Sequence, residues 1–267
     1  MSANLLALIA ALAYLTAAGV QLLSTARGKK GLSRSMAVMA LIAISCHGVA
    51  TWAAVFAGPG SDFGIYKVTS LTFLVVNIAC LMLQTRRPLQ NLLIALFPLS
   101  ALAVLLAAFG PSTGESQQDL GVGMSLHISS SILAYALLTL AAVQAALVAI
   151  QDHQLKNRHT RGIVQVLPPL QLMEAMLFEL VWVGVILLSI AIGSGLVFVD
   201  DIFAQHLVHK SVLSIVAWVL LTILLWGRHQ LGWRAQTAAK FTLAGFILLM
   251  IGFLGSKLVL ELVLQRT

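Results

Sequence analysis

Eight apolar runs, each about as long as a membrane-spanning helix, constrain the fold of this chain more than any other feature. A helix needs about 20 mostly apolar residues to cross a bilayer. The runs that meet this need are 4–24, 35–57, 66–85, 89–109, 124–150, 176–198, 211–226 and 241–264. The seventh is the shortest, and its helix can begin earlier, near Ala204. We therefore predict an all-α integral membrane protein, a bundle of about eight transmembrane helices in a single polytopic domain over residues 1–267.

The scarcity of charge supports the same fold class. Charged residues make up 9% of the chain and hydrophobic residues 60%, whereas a soluble domain carries about 25% charged residues. A water-soluble protein this poor in charge cannot cover its own surface, so the predicted partner of that surface is the lipid bilayer. The net charge of +7 does not indicate nucleic acid, because the basic residues sit in short clusters between apolar runs rather than along one face.

The basic clusters predict the orientation of the helices, since loops rich in Lys and Arg stay on the cytoplasmic side. One set of alternate loops holds most of the basic residues: Arg27, Lys29, Lys30, Arg34, Arg86, Arg87, Lys156, Arg158, Arg161, Arg228, Arg234 and Lys240. Lys67, Lys210, Lys257 and Arg266 fall on the other side. We therefore predict that both termini lie on the non-cytoplasmic side.

The longest predicted cytoplasmic connection is 152–175. It contains Pro168-Pro169 and an amphipathic stretch over 163–173. An amphipathic segment next to a membrane tends to lie in the interface plane, so we predict that this stretch lies along the membrane surface.

His47 lies near the middle of the second predicted span. Its depth is about 15 Å below the outer surface at a rise of 1.5 Å per residue. An ionisable group inside a span is by default a candidate for function. The structural alternative is a neutral imidazole bonded to a neighbouring helix, and Asn77 on the third span, at nearly the same depth, is the natural partner.

Two other histidine positions indicate a ligand site at the outer surface. His127 stands at the outer start of the fifth span, and His206 and His209 stand at the outer start of the seventh. Two imidazoles at one depth can face each other across a flat ligand, and haem iron accepts two axial imidazoles. A purely structural role is the alternative, and the sequence does not choose between His209 and His206.

Small and polar residues continue inward from both positions. The series His127, Ser131, Tyr135 has helical spacing on the fifth span, and Ser211, Ser214, Trp218 and Thr222 line one face of the seventh. Such stripes allow close helix approach or leave room for the edge of a cofactor. Tyr135, Trp218 and His47 therefore join the three histidines as candidate cofactor-binding residues.

Four segments carry a family resemblance. They are LHISSSILAY at 126–135, HKSVLSIVAW at 209–218, GRHQLGWR at 227–234 and GFLGSK at 252–257. In these segments the chain resembles the cytochrome c assembly family of membrane proteins, which includes CcsA-, CcmC- and HemX-like proteins. The resemblance is greatest to a bacterial inner-membrane branch, and there it extends over the whole chain, including Cys46-His47.

The resemblance implies a protein of the bacterial inner membrane, with periplasmic termini, that handles haem for cytochrome c maturation. Carried over, His127 and His209 would be the axial ligands of the haem iron, and other cytochrome c maturation proteins would be partners. The haem would be haem b held non-covalently, because the two cysteines, Cys46 and Cys80, form no C-x-x-C-H attachment site. The family holds haem beside a tryptophan-rich loop, whereas residues 199–208 contain no tryptophan.

Two other function classes stay open. A membrane scaffold or assembly factor without a cofactor would use its polar residues only to join helices. A permease-like component would use His47, Asn77 and the serine-lined helices as a polar path, although we find no internal repeat of the transporter kind. An enzyme is not predicted, since the spans contain no Ser/His/Asp arrangement, no carboxylate pair and no H-E-x-x-H motif.

Overall fold

A computed structural model describes residues 2–27, 34–56, 61–84, 91–111, 116–117, 121–158, 167–198 and 208–255. It confirms the all-α membrane fold, because eight of the described helices are long and apolar enough to cross a membrane. They are α1 (Ala3–Ala26), α2 (Arg34–Val55), α3 (Ile65–Gln84), α4 (Leu92–Phe109), α5 (Val122–Lys156), α6 (Leu170–Phe198), α7 (Val208–Leu231) and α8 (Ala235–Met250). A π-helical turn, Ile251–Gly255, follows α8.

The remaining regular structure of the described residues is a minimal antiparallel pair. Strand β1 (Ser61–Asp62) pairs with β2 (Ser116–Gln117). At the same end, Asp62 accepts a hydrogen bond from the backbone N–H of Gly64 and forms an ion pair with Lys67. These contacts tie the start of α3 to the segment before it.

The connection between the fifth and sixth spans is shorter than predicted. α5 continues to Lys156, because the polar residues after Ile150 are mostly good helix formers and Asp152 pairs with Lys156 one turn later at 2.7 Å. α6 begins directly after Pro169, whose carbonyl accepts hydrogen bonds from the backbone N–H groups of Leu172 and Met173, and proline suits a helix start. The connection is therefore 157–169 rather than 152–175.

Because α6 begins at Leu170, the prediction that the whole stretch 163–173 lies along the membrane surface is wrong in its last part. Its last part, from Leu170 to Met173, forms the first turn of α6, and the Met173 side chain is buried. Residues 163–166 lie outside the described residues. An amphipathic pattern beside a proline pair is thus partly the buried face of a longer helix.

The last two spans also differ from their predicted limits. α7 extends further at both ends than 211–226, and α8 begins at Ala235 rather than at residue 241. Lys240, predicted in a cytoplasmic loop, is therefore an exposed residue of α8. A short turn connects α7 and α8 at residues 232–234, where Gly232 has a φ of 67°, a left-handed conformation that favours glycine. The predicted end of the eighth span, 256–264, lies outside the described residues.

The helices form two compact units, divided between Asp119 and Leu120. In the first unit, α1 packs against α2 and α4, and α4 also packs against α3. Ala7, Ala10 and Ala17 are fully buried on the packed face of α1. Small residues let helix backbones approach closely within a membrane, so the first unit is held by close contact and by the polar side chains described below.

In the second unit, α5 packs along α6 and against α8, and α7 packs against α8. The Leu138 side chain of α5 occupies the space where a side chain on Gly184 of α6 would lie. This arrangement brings the N-terminal half of α5, which carries His127, against the last turns of α6. The predicted sidedness and the single domain stay predictions.

Candidate functional site

His127 is fixed by a backbone carbonyl of the neighbouring helix. It is the sixth residue of α5, and its Nδ1 lies 2.8 Å from the carbonyl oxygen of Ala191 on α6. A carbonyl only accepts, so Nδ1 carries a hydrogen, and in the neutral imidazole Nε2 then keeps its lone pair. Nε2 has no hydrogen-bond partner in the described part of the chain. The imidazole is thus oriented in the tautomer that a metal ligand needs.

A glycine makes room for this imidazole. A Cβ atom on Gly195, one turn beyond Ala191, would lie 3.0 Å from Cε1 of His127 and 3.1 Å from Nδ1. Ser194 also donates to the Ala191 carbonyl, at 3.1 Å. The end of α6 therefore forms a site for the His127 ring, which we call the imidazole seat. The Ala191 carbonyl bonds the ring, the Ser194 hydroxyl bonds that carbonyl, and Gly195 leaves the space that the ring occupies.

The two candidate second ligands are only partly visible. His206 lies outside the described residues. For His209 the backbone is described, in the first turn of α7, and the side chain is not. The structure therefore supplies geometry for His127 alone, and the choice between His209 and His206 stays with the sequence.

Tyr135 and Trp218 use their polar groups to join helices. The Tyr135 hydroxyl donates to the carbonyl oxygen of Leu249 at 2.8 Å, and its ring lies 5.2 Å from that of Phe253 in the π-helical turn. Trp218 Nε1 donates to Ser189 Oγ of α6 at 2.8 Å. The single N–H of the indole is occupied. Tyr135 thus connects α5 to α8 two turns beyond His127, and Trp218 connects α7 to α6 through Ser189, two residues before Ala191.

We expect Tyr135→Phe to lower stability modestly and to leave any haem spectrum unchanged. The variant loses the bond to Leu249 but keeps the ring contact with Phe253. Interhelical hydrogen bonds in membrane proteins contribute about 0.6 kcal/mol on average and at most about 1.7. Thermal unfolding in detergent measures the loss, and absorption spectra test the haem. A shifted or missing haem spectrum would instead make Tyr135 part of a cofactor site.

His47 belongs to the first unit, inside a chain of six buried polar side chains. We call this the polar chain: Thr51, Ser70, His47, Tyr14, Asn77 and Ser100, from α1, α2, α3 and α4. His47 Nδ1 lies 3.0 Å from the Tyr14 hydroxyl, and His47 Nε2 lies 2.9 Å from Ser70 Oγ. Thr51 Oγ1 extends the chain from Ser70 at 2.8 Å. Both ring nitrogens of His47 are engaged, so this imidazole is a link and has no free nitrogen for a metal.

The predicted partner of His47 is corrected. Asn77 does not bond His47 but donates from Nδ2 to the Tyr14 hydroxyl at 3.2 Å and to Ser100 Oγ at 2.7 Å. Ser100 gives its own hydrogen to the Leu96 carbonyl, so it needs this donor. Tyr14 then donates to His47 Nδ1, and His47 donates from Nε2 to Ser70. The sequence correctly placed Asn77 at about the depth of His47. It did not identify Tyr14 as the bonded partner, because a single tyrosine within an apolar span gives no signal of its own.

A buried carboxylate is a second residue that the sequence did not single out. Glu174 is 6% exposed, and its Oε1 accepts the backbone N–H of Ala235 at 2.9 Å. It thereby caps the first residue of α8, where a negative charge is favourable. The predicted limits of the sixth span excluded Glu174, which hid this role.

Arg228 lies over the Phe178 ring at 4.8 Å and donates to the Trp233 carbonyl.

The other sequence candidates for metal or thiol chemistry stay apart. Cys46 and Cys80 are free thiols. Within the residues that the structure describes, no group of three or more His, Cys, Asp or Glu residues is placed to hold a metal ion. A haem with axial imidazoles needs no such group.

Comparison with known proteins gives consistent relatives. The family model "Cytochrome C assembly protein" matches residues 32–264. The chain is 30% identical to the inner membrane protein YpjD of Escherichia coli K12 over 259 residues, which cover 96% of this chain and 98% of that protein. It is 23% identical to protein HemX of Brevibacillus brevis over 131 residues, or 48% of each chain. No solved structure matches.

Proposed function

Because the chain belongs to the cytochrome c assembly protein family, we propose that it binds haem non-covalently and presents it at the periplasmic face of the bacterial inner membrane. His127 would bind the haem iron, and His209 or His206 would be the second ligand. The relative in Escherichia coli is named as an inner membrane protein, which supports the location. Binding and presentation need no catalytic residue, so the protein acts as a haem-handling component and not as an enzyme.

The observation that supports this function best is the bond from His127 Nδ1 to the Ala191 carbonyl. Histidines that ligate a metal almost always donate their other ring N–H to a carbonyl, a carboxylate or water. This bond fixes the ring orientation and keeps the proton on Nδ1, so that Nε2 is free to bind. The His127 ring, held in this orientation with Nε2 available, therefore fits the role of a ligand to the haem iron.

Each part of the seat has a distinct task. Bound haem would supply an iron that histidines can ligate, with a reversible one-electron couple. The Ala191 carbonyl holds the proton of His127 at Nδ1, and Gly195 leaves the space into which the ring fits. Cys46 and Cys80 take no part in attachment, since neither stands in a C-x-x-C-H motif. Other cytochrome c maturation proteins are the partners that would deliver or receive the haem.

A scaffold without a cofactor is the second candidate, and one sequence observation favours it. Residues 199–208 contain no tryptophan, where the resemblance implies a tryptophan-rich loop beside the haem. Tyr135 and Trp218 are also engaged with neighbouring helices. Under this reading, His127 serves only to join α5 and α6.

An absorption spectrum separates the two candidates. The protein is purified in mild detergent from haem-supplied cells, and spectra are recorded oxidised and dithionite-reduced. We expect a Soret band with sharp reduced α and β bands, at about one haem per chain. His127→Ala should lose the haem, whereas His153→Ala should keep it. His153 is a matched control, because it lies on the same helix and its ring bonds Asn157, one turn later on the exposed surface.

Two outcomes would contradict the proposal. Folded wild-type protein without a haem spectrum would favour the scaffold. Haem retained by His127→Ala with an unchanged spectrum would remove His127 from the site.

A further inference from the structure

The turn between α7 and α8 is fixed in one conformation by several contacts. The backbone N–H of Trp233 donates to the Gly227 carbonyl at 3.2 Å, and the Trp233 ring occupies the space where a side chain on Gly227 would lie. The same ring lies 4.9 Å from that of Phe241 on α8. Glu174 of α6 accepts the backbone N–H of Ala235. Three helices therefore meet at this turn.

The backbone of the turn is strained at one residue. Ala235 has a φ of 29°, and a positive φ is uncommon for a residue with a side chain. Such strain persists only where the surrounding structure over-determines it, and strained residues cluster at ligand-binding and active sites. The conformation of Ala235 therefore indicates that the turn does more than join two helices.

The contacts of the turn hold one guanidinium in place. Arg228, in the last turn of α7, lies over the Phe178 ring at 4.8 Å and donates from Nη1 to the Trp233 carbonyl oxygen at 3.1 Å. A guanidinium has five N–H donors in a rigid plane, and this bond uses one of them. Arg228 is therefore oriented and keeps donors for an anionic ligand.

A second arginine stands next to the first. Arg234 follows Trp233 directly, so its Cα lies within about 6 Å of Nη1 of Arg228. It is the N-cap residue of α8, and its side chain is exposed. Neither arginine forms an ion pair with a carboxylate of the described residues. Two like charges thus stand close together, and an anion that contacts both would stabilise them.

The end of α8 adds positive charge to the arginine pair. The N-terminus of a helix carries about half a positive charge, and the first turn of α8 has no acidic residue. Against this, Glu174 supplies one carboxylate, whose Oε1 is bonded to Ala235. One carboxylate offsets less charge than two arginines and a helix N-terminus supply, so the turn keeps a net positive charge.

Exposed apolar side chains place the pair at the depth of lipid headgroups. Trp226, two residues before Arg228, is 57% exposed, and Leu231 is 58% exposed. Tryptophan is enriched at the membrane–water interface, where its ring lies at headgroup level. Apolar surface beside two guanidiniums matches a molecule that has both acyl chains and an anionic headgroup.

We propose that Arg228 and Arg234 bind the phosphate group of one anionic phospholipid, with its acyl chains along Trp226 and α7. Basic sites between transmembrane helices on the cytoplasmic side bind lipid headgroups, and both arginines belong to the loops predicted to be cytoplasmic. Arg228 supplies paired hydrogen bonds to the phosphate oxygens, and Arg234 adds a second charge. The site lies at the other end of α6 from the imidazole seat and needs no haem.

Native mass spectrometry of the full chain in mild detergent measures the binding of single lipids. We expect phosphatidylglycerol to bind at least about tenfold more tightly than phosphatidylcholine with the same acyl chains, because only the former has a net negative charge. Arg234→Gln should lower the affinity for phosphatidylglycerol about fivefold, the effect of one basic residue at a membrane surface, and leave that for phosphatidylcholine unchanged.

Two further variants separate this site from general charge. Arg158→Gln is the matched control, because it removes one exposed arginine of the same unit, just after α5, and should leave the affinity unchanged. Arg228→Lys keeps the charge but not the paired bonds and should weaken binding about fivefold. Thermal unfolding without added lipid shows whether this variant is folded, and Arg234→Gln carries the test if it is not.

Three outcomes would overturn the proposal. The first is equal affinity for the two lipids, and the second is an equal loss of affinity in Arg234→Gln and Arg158→Gln. The third concerns the source of the phosphate group. We expect inorganic phosphate, at the concentration of the lipid, to leave bound phosphatidylglycerol in place. Displacement would mean that the arginine pair binds free anions rather than a lipid.

Discussion

Gly195→Val should weaken haem binding about 10- to 100-fold, the range seen when the orienting partner of a metal ligand is lost, while Gly193→Val should leave it unchanged. The Ala191 carbonyl cannot be removed by substitution, so the test instead fills the space that Gly195 leaves for the His127 ring. A Cβ at Gly195 would already lie 3.0 Å from the imidazole. The branched methyl groups of valine must push the ring away and break the bond to Ala191.

Gly193 is the matched control for this substitution. It lies two residues earlier on α6, and a Cβ there would have no atom within 4 Å. Both variants carry the same helix-propensity change and the same stiff side chain. Haem titration followed by the Soret band measures the affinity, and thermal unfolding without haem measures the fold. Equal affinities in the two variants would show that the seat does not orient the ligand.

The sequence predicted the spans well and the side-chain partners poorly, for physical reasons. A bilayer imposes a length and a hydropathy on every span, so eight helices could be predicted from apolar runs. Their ends were less accurate where polar residues continue a helix, as after Ile150 in α5. Glu174 was consequently placed in a loop rather than at the start of α6.

The candidate site residues divide in the same way. His127 was singled out because an interfacial histidine stands out, but its partner is a backbone carbonyl, which has no sequence signature. Gly195 was overlooked because glycine is frequent in membrane helices. The partner of His47 depends on how α1 is rotated toward α2 and α3, and an apolar helix with a weak pattern does not encode that rotation.

His47→Leu should destabilise the protein by about 2–6 kcal/mol, from two lost hydrogen bonds and one stranded hydroxyl. It removes two interhelical hydrogen bonds, each contributing about 0.6–1.7 kcal/mol in a membrane. It also leaves the Tyr14 hydroxyl without an acceptor for its hydrogen, which costs about 1–3 kcal/mol. Ser70 is less affected, since it keeps Thr51 at 2.8 Å. Thr51→Val, which removes only the last link at nearly constant volume, should cost under about 1 kcal/mol.

A double-mutant cycle shows whether the loss comes from the broken bond or from repacking. In Tyr14→Phe with His47→Leu, the stranded hydroxyl is gone, so the double variant should be less destabilised than the sum of the single variants by about 1–2 kcal/mol. Reversible unfolding in mixed detergent measures all four proteins. Strict additivity would mean that Tyr14 and His47 are neighbours without an energetic link. A coupling of the expected size would mean that the bond between them is part of what holds α1 to α2.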